Sequence, residues 1–275
     1  MYLKHFGLSE LPFRITPDTS FVYANRFHQE ALNTLLVALQ EGEGFVKITG
    51  EVGTGKSLLC RRLLQALPDN SISAYLPNPY LAPRTLLLAL AEELGVAVDP
   101  ESDDYHLLKS VNNALLAHAV AERRVVVCID EAQAMPLETL ESLRLLSNLE
   151  TEKRKLLQIV LFGQPELDRK LAEPSVRQLL QRIAFHYRLT GLAREEIANY
   201  LAHRLRVAGY RGEDVFGKQA VRCLHRASRG TPRLLNILAH KSLLAVFGEG
   251  KHAVRAGHVR QAAADTEGAA APGWW

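Results

Sequence analysis

The chain has 275 residues, of which 47% are hydrophobic and 23% charged, with 33 Lys and Arg against 30 Asp and Glu. That length allows one large domain or a medium domain with a small companion, and the composition excludes disordered and collagen-like classes. No run of eighteen apolar residues exists, and the opening MYLKHFGLSELPF lacks a signal peptide's apolar stretch, so a cytoplasmic protein without a membrane span is expected. Three cysteines (Cys60, Cys128 and Cys223) stand far apart without a C-x-x-C pair, and the ten histidines form no ligand pattern, so neither disulfides nor zinc are expected.

Residues 1–27 carry Tyr2, Phe6, Phe13, Phe21 and Tyr23 among prolines, with no period. Disordered segments are poor in aromatics, so this reads as an ordered arm packed on the core. Helical spacing begins near His28 and runs through Ala31, Leu32, Leu35, Leu36 and Leu39 until Gly42 and Gly44 end it. Residues 45–49 alternate like a short strand, residues 50–57 read GEVGTGKS, and residues 58–67 have the leucine spacing of a helix. A short strand over 71–76 is closed by the breaker PNPY, and helices follow over 83–94 and 103–123. Residues 124–130, RVVVCID, form the apolar β-branched run of a central parallel strand covered on both faces.

A helix with Pro136 at its first position runs to about residue 149. A buried strand over 156–162 and two short helices lead to a strand over 185–189. This alternation gives a parallel sheet with helices on both sides. After Gly191 the strands stop, and helices over 194–208, 217–227, 232–247 and 256–264 are punctuated by Gly209, Gly230 and Gly248. The expected fold is α/β, a parallel five-stranded sheet flanked by helices and followed by a small all-α lid, and the match of residues 50–57 to G-x-x-x-x-G-K-[ST] makes it a P-loop NTPase. Its parts are an N-terminal arm (1–27) packed on the core, a nucleotide-binding domain (28–190), a lid (191–265) and a flexible tail (266–275). From residue 191 on, thirteen Lys and Arg face seven Asp and Glu. A basic lid suits nucleic acid, acidic lipid, the nucleotide or a neighbouring subunit, and equally a solvated helix face.

GEVGTGKS fits G-x-x-x-x-G-K-[ST], the phosphate loop, between the strand and the helix it requires. Backbone N–H groups from Gly50, Glu51, Val52, Gly53, Thr54, Gly55, Lys56, Ser57 and Leu58 are expected to cradle an anion, aided by the helix N-terminus. Gly53 and Gly55 permit backbone angles and a close approach that a Cβ would obstruct. Lys56 is expected on the β- and γ-phosphates of ATP, and Ser57 on Mg²⁺. The second site is Asp130-Glu131, which an apolar strand delivers to the sheet's edge. Asp130 would organise Mg²⁺ through its water shell, and Glu131 would polarise the attacking water. The plainer reading of Asp130 is a helix cap.

Gln164, in LFGQPEL, sits after the next strand and is either a sensor of the γ-phosphate or a turn residue before Pro165. Charge developing on that phosphate is best met by guanidinium. Arg182 is the candidate to supply it to a neighbouring subunit, Arg177 is the runner-up, and a surface role is the alternative for Arg182. Arg233, in SRGTPRLLN, opens a lid helix from which it would reach the same nucleotide.

Together these segments resemble an AAA+ ATPase, and more narrowly the ExeA (general secretion pathway protein A) group, which includes the MshM-type ATPases of pilus assembly. The resemblance covers about residues 1–264. It rests on FGLSELPFRITPDTSFVY, GEGFVKITGEVGTGKS, VVVCIDEAQAM, LRLLSNLET, IVLFGQPEL and RGTPRLLN. It implies a sheet in the order 5-1-4-3-2, a helical lid, ATP as nucleotide, and oligomeric action near the inner membrane during assembly of an envelope complex. Lys56, Ser57, Asp130 and Glu131 match the family's Walker motifs, Gln164 its first sensor and Arg233 its second. Asn78, at the end of the second strand, would hold Glu131 inactive, as a polar residue does in relatives. Longer members continue into a membrane span and a peptidoglycan-binding domain; a chain complete at Trp275 would fit the shorter pilus-type role better. Trp274 and Trp275 would suit a membrane interface, or form a loose tail.

Three functions follow as expectations. The first is a Mg²⁺-dependent ATPase, cytoplasmic and peripheral to the inner membrane. It would self-associate with nucleotide and drive assembly of a type IV pilus or type II secretion apparatus. The second is a nucleic-acid-binding ATPase of the transposition-associated type. The third is a nucleotide-gated scaffold with negligible turnover.

Overall fold

The computed structural model describes residues 2–16, 18–23, 25–99, 101–146, 148–150 and 155–271. In chain order the helices and strands are α1 (Leu3–Phe6), α2 (Arg26–Glu41), β1 (Phe45–Gly50), α3 (Lys56–Ala66), β2 (Ser71–Leu76), α4 (Pro83–Glu93), α5 (Asp104–Val120) and β3 (Arg124–Ile129). There follow α6 (Leu137–Leu146), β4 (Gln158–Gly163), α7 (Glu166–Leu171), α8 (Arg177–Leu180), β5 (Ile183–Leu189), α9 (Arg194–Val207), α10 (Lys218–Ser228), α11 (Pro232–Gly248) and α12 (Ala256–Ala264). Trp274 and Trp275, read above as a membrane contact or a tail, lie outside the described residues.

The chain divides into two compact units. One holds His28–Glu51 and Leu59–Leu189, and the other Met1–Phe27, Val52–Leu58 and Thr190–Trp275. In the first unit the five strands form one sheet in the order β2-β3-β4-β1-β5, with every pair parallel. This is the expected 5-1-4-3-2 order read from the opposite edge. Strand alternation divides the core between two faces. Val125, Val127 and Ile129 of β3 join α4, α5, α6 and α7 on one side, while Val126 and Cys128 join α2 and α3 on the other. An apolar run such as VVVCI therefore marks a strand buried on both faces.

All six residues of strand β1 are buried, Lys47 among them. Lys47 is accommodated because its Nζ lies 2.6 Å from an Asp168 carboxylate oxygen on α7. A buried ammonium needs such a partner.

The second unit is built on α9 to α12. Leu201, Leu205, Leu224, Leu235, Leu238 and Val259 pack in its core. Phe13 and Phe21 of the N-terminal segment enter that same core, together with Tyr2, Phe6 and Leu8. The arm, expected to pack on the core, contributes these aromatics to the helical one. Its anchoring is polar as well as apolar. Arg204 of α9 donates from Nε to the Pro12 carbonyl at 2.5 Å and lies over the Phe21 ring, and Asn236 of α11 donates to the Arg14 carbonyl at 3.3 Å.

Candidate nucleotide site

The phosphate loop leaves β1 at Gly50 and enters α3 at Lys56. Gly53 and Gly55 have φ of +81° and +98°, the left-handed region where glycine is favoured. Glu51 and Val52 are exposed, Thr54 and Lys56 are buried, and Ser57 and Leu58 are half-buried in the first turn of α3. Gly53 is also pressed from outside. A Cβ added there would lie 2.5 Å from the Arg233 Cβ and 3.3 Å from the Thr231 Cγ2. The Arg233 backbone N–H donates to the Gly53 carbonyl at 3.2 Å. Thr231 is the N-cap of α11 and Pro232 its first residue, so the start of this helix rests on the turn of the loop.

The acidic pair lies in the sheet unit. Ile129 and Lys47 both pair with Leu161 of β4, which separates β3 from β1. The two strands therefore end on one edge of the sheet, β3 running into Asp130-Glu131 and β1 into the phosphate loop. Asp130 is buried; its Oδ1 accepts from the Glu131 backbone N–H at 2.9 Å, and its Oδ2 from the Tyr75 hydroxyl at 3.5 Å. Burial, then the Asp130 charge, push the Tyr75 hydroxyl up to about 12, so it remains a donor at neutral pH. Beneath Asp130, Cys60 of α3 and Cys128 of β3 are both fully buried. Their mutual hydrogen bond, then burial, push the Cys60 thiol upward, which keeps it protonated and unreactive.

Glu131 has a φ of +52°. A non-glycine residue there costs about 1–3 kcal/mol and persists where surrounding contacts enforce it. Its Oε2 accepts from the Gln133 side-chain amide at 2.5 Å and from the Gln164 amide at 3.1 Å. Gln164, given above as sensor or turn residue, thus meets Glu131 directly across the strand ends. Asn78 lies two residues beyond the end of β2. It is exposed, and its Oδ1 accepts from the Tyr80 N–H at 3.4 Å. Gln133 was missed; the signal for it was an amide residue in the turn DEAQ after the strand.

Arg182 is half-buried and donates from Nη1 to the Arg144 carbonyl at 3.3 Å, near the C-terminal end of α6. Arg177 is exposed at the start of α8.

A description of the AAA domain matches residues 39–171. Over all 275 residues the chain is 44% identical to the General secretion pathway protein A of Aeromonas hydrophila. The chain spans about half (50%) of the length of that relative. The solved structure of Cdc6p from Pyrobaculum aerophilum is similar, with a TM-score of 0.67 at 16% identity over 90% of this chain and 70% of that one. The Aeropyrum pernix ORC1 protein in complex with DNA gives 0.61 at 20% identity over 92% and 69%. At such identities these two establish the fold of the chain and nothing further. No helix among its described residues is long and apolar enough to cross a membrane.

Proposed function

We propose that the protein binds and hydrolyses ATP with Mg²⁺ and couples this cycle to assembly of a secretion or pilus apparatus at the inner membrane. The observation that carries the reading is the shared edge: the glycine-turn phosphate loop and the Asp130-Glu131 pair leave adjacent parts of one parallel sheet. Hard oxygen donors, the Ser57 hydroxyl and the Asp130 carboxylate, suit Mg²⁺. The left-handed glycines leave room for close approach of a phosphate chain. The metal supplies charge neutralisation on the phosphates.

The chain's residues do the rest in this reading. The loop amides and Lys56 hold the triphosphate tail. Glu131 orients a water and takes its proton, and Gln164 lies between that carboxylate and the phosphate end. Arg233 links the state of the nucleotide to α11. Arg182 serves a neighbouring subunit in a nucleotide-dependent oligomer, with the protein cytoplasmic and peripheral at the membrane. The likeness of all 275 residues to General secretion pathway protein A, half of whose length they span, supports the secretion context.

Phosphate release with and without Mg²⁺ tests the reading. Lys56→Ala is expected to lose nucleotide binding, whereas Glu131→Gln should bind and turn over at least about 100-fold more slowly. Unchanged turnover in Glu131→Gln would remove that residue from its role.

A second reading, nucleic-acid binding, is favoured by α10. Its exposed side carries Lys218, Arg222 and Arg226, and Arg229 follows at its C-cap, with no acidic residue in the helix. Phosphate contacts of this kind give affinity that falls steeply with salt, so ATP-dependent retardation of duplex DNA, lost at high salt, is its signature.

A further inference from the structure

We propose that Gln133 is the positioning residue for Glu131, through an amide whose orientation the backbone fixes. The proposal rests on the reading of Glu131 as the group that orients water. Gln133 lies in the 3-10 turn Ala132–Ala134 that follows the acidic pair. Its Oε1 accepts from the Gln164 backbone N–H at 3.0 Å. A backbone N–H is only a donor, so the atom facing it must be the amide oxygen. The amide nitrogen then has to face the other way, and it donates to the Glu131 Oε2 at 2.5 Å. The usual ambiguity of a glutamine amide is removed by this one contact.

The turn that carries Gln133 is itself held. Lys170 of α7 donates from Nζ to the Gln133 carbonyl at 2.6 Å and to the Met135 carbonyl at 2.7 Å. Gly163, the last residue of β4, leaves the space: a Cβ there would lie 3.3 Å from the Gln133 Oε1 and 2.6 Å from the Leu167 Cδ2. The Gln164 amide reaches the same Glu131 oxygen. Two amide donors on one oxygen set both the direction of the carboxylate and its left-handed backbone. An anchor of this kind separates placing Glu131 from binding nucleotide, because neither Gln133 nor Lys170 belongs to the phosphate loop.

Gln133→Glu keeps the acceptor toward the Gln164 N–H and replaces the donor by an oxygen, with almost no change of shape. Gln133→Met removes both and keeps the volume. In phosphate-release assays each is expected to lower kcat by about 10–100-fold, with KM and the Kd for a non-hydrolysable ATP analogue within about twofold of wild type. In a Glu131→Gln background Gln133→Met should change nothing further. A second measurement needs no turnover. In nucleotide-free protein labelled with ¹⁵N-glutamine, one Gln133 side-chain proton should be shifted downfield and protected from exchange, and Glu131→Ala should abolish both properties. Unchanged kcat, a fall in kcat matched by loss of nucleotide binding, or Gln133 resonances indifferent to Glu131→Ala would each overturn the proposal. If the wild-type chain releases no phosphate, the hydrolysis reading fails, and the amide resonances alone decide whether Gln133 holds Glu131.

Discussion

The sheet unit and the helical unit reach a buried core by different routes. In the sheet unit each strand carries apolar residues for both faces, and helices in the same stretch of chain cover them, so the core is assembled from neighbours along the sequence. In the helical unit α9 to α12 leave a gap that Tyr2, Phe6, Leu8, Phe13 and Phe21 fill from the far end of the chain. The contrast teaches that a periodic element advertises its own burial, whereas an aperiodic segment advertises only that it is buried somewhere.

The largest effect should come from emptying that gap. Phe13 is 3% exposed and meets Phe216 edge-on, with centroids 5.9 Å apart. Phe13→Ala removes the ring and leaves a cavity, a change that costs about 3–5 kcal/mol. Urea unfolding followed by amide exchange is expected to show early loss of protection in α9 to α12, with the strands of the sheet keeping theirs. Loss of protection in the sheet to the same extent would erase the contrast between the two units.

Legibility in the sequence follows the same division. RVVVCI could be read as a central strand because β-branched residues on both faces have no other use in an α/β alternation. GEVGTGKS could be read because its glycines and lysine occur at fixed offsets. The burial of Lys47 was not legible, because alternation alone cannot reveal an Asp168 that arrives 121 residues later. Glu131 was legible as a residue, but its partners were not. Gln133 and Gln164 meet it only because β3 and β4 are neighbours and the turn after β3 folds back, and Asn78, placed at the end of β2 by analogy, bonds to its own turn instead. The arm announced order through its aromatics, yet nothing in its spacing named the core it would enter.

A middle-sized effect tests whether the helical unit has its own fixed points. Gly230, between α10 and α11, has φ of +75°, and an added Cβ would lie 2.3 Å from the Leu192 carbonyl oxygen. That neighbour is backbone, itself held by the Leu192 N–H donating to the Gly230 carbonyl at 2.8 Å. Gly230→Ala is therefore expected to cost about 2–3 kcal/mol in strain and overpacking. Arg229, one residue earlier, already sits at φ +51° with a side chain, so Arg229→Gly should be neutral or stabilise by up to about 1 kcal/mol. The thermal midpoint of Gly230→Ala should fall while that of Arg229→Gly holds or rises, and an equal response would show that the turn is not pinned.

The smallest effect concerns how the arm is tied at its first residues. The Tyr2 hydroxyl and the His240 Nδ1 are 2.9 Å apart. Burial pushes the Tyr2 hydroxyl up to about 12, so it donates, and burial holds His240 below its usual value of 6.5, so the ring accepts as neutral imidazole. The folded protein then binds fewer protons than the unfolded chain once the pH drops below that usual value. The stabilising contribution is present above pH 6.5 and is lost as the pH falls through the depressed folded value. His186 in the sheet unit is shifted the same way, by burial and then by the Lys47 charge, so both units share the direction. The carboxylates of Asp18, Glu249 and Asp265 are held below their ordinary range and lose their contributions only in more acidic solution. A stability profile should therefore decline gently from pH 6.5 before any carboxylate titrates. His240→Gln should flatten the part of that decline seen by exchange in α1 and α11 while leaving the part seen in β1 and β5. A profile unchanged by His240→Gln in α1 would mean that the Tyr2–His240 bond does not hold the first residues of the arm.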